Sequence, residues 1–198
     1  MESALKHNII SSTQDFYPNR PAKRSDVFSM AVSTAISVSQ SVSSTTSPTP
    51  DMIVSLSTTG DNRKWTSQYA GGNDAGYIDE LTPNGDSIEN WKELITRRID
   101  FVSDTTIETF VDTWKNSLIK MDADITIDLE PVVDGTMIAT YASELLNERG
   151  IAKFFEGSDG VYMILYSSKF KNYNIQYFKT WSQNIRNATL VENSTTNK

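Results

Sequence analysis

The residues whose types and spacing could do chemistry are acidic. Asp122, Asp124, Asp128 and Glu130 fall within nine positions, and clustered carboxylates hold hard cations such as calcium through their oxygens. An EF-hand loop is excluded, because the glycine and the terminal glutamate that such a loop needs are missing. Ile125, Ile127 and Leu129 alternate with Asp124, Thr126, Asp128 and Glu130 at the period of a half-buried strand. An extended strand spaces carboxylates on one face about 7 Å apart, too far for all of them to reach one ion. The expectation is a solvated strand face that discourages edge aggregation. Asp122, Asp124, Asp128 and Glu130 are then the residues a basic partner protein would contact, and no metal ligand is expected among them.

Two carboxylates alone can run general acid–base chemistry, so a hydrolase or transferase would draw its pair from Asp124, Asp128, Glu130, Glu144 and Glu148. Nothing in their spacing puts two of them in one apolar pocket with separated pKa values. Composition removes the other chemistries. The chain has no cysteine, which excludes thiolate nucleophiles and iron–sulfur clusters, and its sole histidine, His7, lies in the tail, so neither a multi-histidine metal site nor a His-based triad is expected from one chain. Gly71, Gly72 and Gly76 lack the Lys-Ser or Lys-Thr of a phosphate loop and lie between two strand-like runs. No catalytic residue and no cofactor are expected. Asn187-Ala188-Thr189 and Asn193-Ser194-Thr195 match the glycosylation sequon, a pattern too short to carry weight.

Charge bounds the partners. The chain of 198 residues carries 25 acidic and 18 basic residues, and residues 51–198 hold 22 of the acids and 14 of the bases. An acidic domain repels phosphate backbones and anionic lipid, so nucleic acid is not an expected partner. No run approaches the roughly 20 apolar residues that span a bilayer, so no integral membrane segment is expected. Residues 27–35 form a poor export signal, because Asp26 precedes them and serines interrupt them. The compartment stays open, with the cytoplasm favoured over export.

These residues need a scaffold, and the hydrophobic pattern supplies one. Residues 1–58 read as a polar, Ser/Thr-rich tail or linker, 59–190 as one α+β domain, and 191–198 as a disordered tail. Ile36, Val38 and Val42, with Ile53-Val54-Ser55-Leu56, leave a strand as the competing reading within the linker. The domain opens with a hairpin, Trp65–Tyr69 and Tyr77–Leu81, joined by Gly71–Gly76. Asp86 or Ser87 then caps a helix placing Ile88, Trp91, Leu94 and Ile95 on one face. A second helix starts with Thr105 and Glu108 as a capping box and buries Ile107, Phe110, Val111, Trp114 and Leu118.

Next come the acidic strand, a hairpin partner over Thr136–Tyr141, and a further pair, Ile151–Phe155 and Val161–Tyr166. The near-continuous apolar content of the last strand suits burial on both faces, so it should be central. Ile175, Phe178, Trp181, Ile185 and Ala188 mark a C-terminal helix. Trp91, Phe110, Trp114, Phe178 and Trp181 are core residues on this pattern. The expected fold is an antiparallel sheet of about five to six strands packed against two to three helices, with a disordered N-terminal tail.

The order hairpin, helix, helix, meander and C-terminal helix, with the run Tyr77 to Trp91 (YIDELTPNGDSIENW) and Gly157-Ser158-Asp159-Gly160-Val161-Tyr162, resembles small uncharacterised bacterial proteins of a broadly PsbP-like α+β type. The resemblance covers about residues 61–190. It implies a non-catalytic protein-binding or accessory module of bacterial type, in some relatives immunity-like, neutralising a basic toxin, and often exported. This chain lacks the lipobox cysteine of an anchored form.

Overall fold

The computed structural model describes residues 50–102 and 105–193, all of which lie in the second of two units, Thr46–Lys198. The signal-like stretch 27–35, His7, the Ser/Thr-rich run before Pro50 and the second sequon fall wholly or largely outside the described residues. In chain order the elements are β1 (Met52–Ser55), β2 (Trp65–Asn73), β3 (Gly76–Pro83), β4 (Glu93–Asp100), α1 (Ile107–Met121), β5 (Thr126–Leu129), β6 (Thr136–Ser143), β7 (Glu148–Glu156) and β8 (Val161–Lys169). A 3₁₀ turn (Phe170–Asn172), α2 (Ile175–Arg186) and β9 (Thr189–Glu192) complete them.

The fold is α+β, with more strands than the pattern suggested. Seven strands pair antiparallel in the order β2-β3-β4-β8-β7-β6-β5, and β1 pairs with β9 in a separate two-stranded ribbon. β8 is the middle strand, and all eight residues from Val161 to Ser168 are buried. That burial on both faces is what its apolar run required. Tyr162, Ile164 and Tyr166 face Trp181 and Ile185 of α2, together with Ile95, Ile99, Ile151 and Phe155. Met163 and Leu165 face the side covered by α1, where Trp114 meets Phe154 and Tyr141 edge-on, with ring centroids at 5.2 and 6.1 Å.

α1 buries Ile107, Phe110, Val111, Trp114 and Leu118, the face its period marked out. Its cap is one residue later than expected: Thr106, not Thr105, accepts from the Thr109 amide, and Glu108 takes no part in a capping box. α2 begins at Asn174, whose side chain accepts from the amides of Gln176 and Tyr177.

The expected helix through Ile88, Trp91, Leu94 and Ile95 is instead a bend followed by β4. Helical spacing was present by coincidence. Leu94 and Ile95 are adjacent and both essentially fully buried, which a strand between two covered faces allows, because Leu94 pairs with Ser167 on the α1 side and Ile95 with Tyr166 on the α2 side. The first hairpin is tighter than expected. β2 runs through Gly71 and Gly72 to Asn73, and a Cβ on Gly72 would lie 2.6 Å from the Gly76 carbonyl oxygen, so glycine is needed there for the strands to approach.

Strand structure is present on both sides of the 59–190 span. Met52, Val54, Leu56 and Leu190 pack on the α2-side core, and the Asn193 amide donates to the Asp51 carbonyl at 2.8 Å. Strand pairing therefore begins before residue 59 and continues past 190.

Candidate functional site

The four acids singled out in the sequence do not form one surface. Asp122 is not on the strand. It follows α1 and is buried, with Oδ2 accepting from Ser143 Oγ at 2.5 Å and Oδ1 from the Asp124 amide at 3.0 Å. Its carboxylate joins the end of α1 to the end of β6. Glu130 accepts two hydrogen bonds from the Arg186 guanidinium, at 2.8 and 2.5 Å, and these hold its carboxyl below the usual range against the opposing effect of partial burial. Asp124 and Asp128 are exposed.

The alternation itself holds. Asp128 and Glu130 lie on the α2 side of the sheet, and Ile127 pairs with Tyr141 on the α1 side. Glu148 lies on that α1 side, where Oε1 accepts from Tyr141 OH at 2.7 Å and Oε2 from Lys169 Nζ at 3.1 Å. The sheet thus separates Glu148 from Asp128 and Glu130. Among the described residues, no group of three or more His, Cys, Asp or Glu side chains is placed to hold a metal ion.

The densest polar arrangement was not visible in the sequence. Asp61, in the loop between β1 and β2, is buried beneath α2. Its Oδ1 accepts from the Arg63 amide and Nε, both at 2.9 Å. Its Oδ2 accepts from Arg63 Nη2 at 2.7 Å, Trp65 Nε1 at 3.1 Å and Trp181 Nε1 at 2.9 Å. Arg63 also pairs with Glu93, whose other oxygen accepts from Tyr166 OH at 2.8 Å. Burial alone would raise the Asp61 pKa, but the hydrogen bonds from Arg63 and the two indoles outweigh it and bring the carboxyl to about 2. Burial, reinforced by Glu93, raises the Tyr166 hydroxyl well above its usual range.

The aromatic rings close around this node. Tyr166 stacks on Trp181 at 5.5 Å, Trp65 meets Trp181 edge-on at 4.9 Å, and Tyr177 covers the Arg63 guanidinium at 3.9 Å. Each polar group here meets another within the node, so its chemistry is structural: it ties the β1–β2 loop and α2 to the sheet.

The accessible feature is the β2 edge. β2 has nine residues, Trp65-Thr66-Ser67-Gln68-Tyr69-Ala70-Gly71-Gly72-Asn73, with no charged residue and no proline, and among the described residues it pairs with β3 alone. Thr66 to Ala70 are all exposed, and the ladder to β3 shifts register at Gln68. Tyr69 is 37% exposed, and Tyr77, next to the turn on β3, is 43% exposed. Ser67 Oγ donates to Asp79 at 2.6 Å and Arg97 Nε donates to the same carboxylate at 3.0 Å, which anchors the strand from the α2 side.

The opposite edge, β5, is four residues long and carries exposed Asp128. Short length and charge are the usual guards of an edge, and β2 has only its bulge. No family model, curated protein or solved structure matches this chain. Within the described residues, no helix is long and apolar enough to cross a membrane.

Proposed function

We propose that the protein is a non-catalytic binding module that takes an extended segment of another protein along the β2 edge. The observation that carries this reading is a nine-residue edge strand, exposed and free of charge, in a chain of net charge −7. An edge strand offers a row of main-chain donors and acceptors that a peptide in extended conformation completes. Tyr69 and Tyr77 flank that row and supply rigid aromatic area at low entropic cost. The inward carboxylates support the same reading, since Asp61, Glu93, Asp122 and Glu148 are all engaged in tying elements together.

The test is a photo-crosslinking amino acid placed at Gln68, with Glu108 on the exposed side of α1 as the control position. In cells that express the protein, the Gln68 position should give a discrete crosslinked species that the Glu108 position does not. Thr66→Lys with Tyr69→Lys should remove it without unfolding the protein. Equal labelling from both positions would refute the assignment of the edge.

A further inference from the structure

Five arginines lie among the described residues, and four of them ion-pair with a carboxylate: Arg63 with Asp61 and Glu93, Arg97 with Asp79, Arg98 with Asp100, and Arg186 with Glu130. The fifth, Arg149 on β7, does not. Its guanidinium lies over the rings of Tyr173 and Phe170, at 4.3 and 4.9 Å, and its Nε is buried with no acceptor. Acids outnumber bases in this chain, so carboxylates are plentiful. Leaving a charged donor buried and unmatched costs free energy that an acceptor would restore.

The residue as a whole is only half-buried, and its surroundings explain how the side chain is held. Arg149 pairs with Ala142 on one side and Ser168 on the other, on the α2 side of the sheet. Beyond Lys169 the chain leaves β8 and turns through Phe170–Asn172 into Tyr173. Tyr173 is braced in turn by Phe178, at 5.5 Å between ring centroids. These rings fix the plane of the guanidinium, so its fork of donors is ordered before a ligand arrives. Planar fork geometry matches a carboxylate in a bidentate contact.

We infer that Arg149, clamped by Phe170 and Tyr173, is a receiving site for a single carboxylate group, from a side chain or a chain terminus of a partner. A phosphate dianion fits less well, because the site offers one cation beside the negative faces of two rings in an acidic protein. The site is independent of the β2 edge, since a free small carboxylate is enough to test it.

The experiment is an NMR titration of the full chain with sodium acetate at pH 7 and constant ionic strength, following the Arg149 side-chain Nε–Hε signal and the backbone amides of Phe170 and Tyr173. Acetate should shift all three saturably in the millimolar range, and chloride or the Nε–Hε signal of Arg97 should show no such effect. Arg149→Lys keeps the charge and loses the fork, so the saturable shift of the two backbone amides should weaken at least fivefold while the melting temperature stays within a few degrees. A linear response shared by acetate and chloride would overturn the site, as would undiminished binding in Arg149→Lys. Tighter binding of inorganic phosphate than of acetate would overturn the carboxylate assignment.

Discussion

Asp61→Asn tests the buried node most sharply, because the substitution preserves shape and removes only charge and acceptor capacity. The wild-type carboxylate accepts from four groups: the Arg63 amide and guanidinium, and the indoles of Trp65 and Trp181. Asparagine retains one acceptor oxygen and turns an NH₂ toward donors. The pKa of Asp61 falls from 3.8 to about 2, and at about 1.4 kcal/mol per unit the charged form contributes about 2 kcal/mol of folding stability. Donor–donor conflict and the weakened hold on Arg63 add about another 1 kcal/mol, so the variant should lose about 3 kcal/mol at pH 7.

The sign with pH follows from the depressed value. The contribution is fully present above the unfolded pKa near 4 and is lost as pH falls through about 2. Urea denaturation followed by tryptophan fluorescence at a series of pH values should therefore show the gap between wild type and variant narrowing by about 2 kcal/mol below pH 4. A gap under about 1 kcal/mol at pH 7, or one that does not change with pH, would refute the idea that the ionised carboxylate organises this region.

The acids of the sequence stripe should separate by location. Asp122→Ala should cost about 1 to 3 kcal/mol, because it leaves buried Ser143 without its acceptor, whereas Asp124→Asn and Asp128→Asn should each change stability by less than about 0.5 kcal/mol; chemical denaturation measures both. Gly160→Ala should destabilise by about 3 kcal/mol or more, since its Cβ would come within 2.1 Å of the Asp100 carbonyl oxygen where β4 meets β8. Lys153 Nζ donates to the carbonyls of Arg186 and Ala188, both at 2.8 Å, at the end of α2. Lys153→Met should cost about 1 kcal/mol and show first as faster amide exchange in the last turn of α2.

The parts of this fold that local pattern controls were legible in the residues. α1 shows a single apolar stripe, and β8 an apolar run too continuous for a one-faced strand. β4 was misread because Ile88, Trp91, Leu94 and Ile95 have helical spacing, while the fact that decides the matter, coverage of both sheet faces at Leu94 and Ile95, is tertiary. β9 is short and set among polar residues, and its order comes from tertiary contacts, the pairing with β1 and the packing of Leu190 on the core.

The Asp61 node escaped for a related reason. Trp181 is 120 positions away from Asp61, Glu93 is 30 from Arg63, and Tyr166 is 73 from Glu93. No local motif records such a meeting. The stripe was legible as an alternation, but nothing in that alternation showed that Asp122 would be buried or that Arg186 would return to Glu130.

The central claim is that β2 receives an extended partner through its main chain, and amide hydrogen exchange tests it most directly. In the free protein, the amides of Thr66–Gly72 that point away from β3 should exchange within seconds to minutes, since they have no strand partner among the described residues. When the partner captured through Gln68 is added, these amides should become protected, with little change over Asp124–Leu129. Protection confined to the β5 edge, with β2 exchanging as fast as before, would contradict the account.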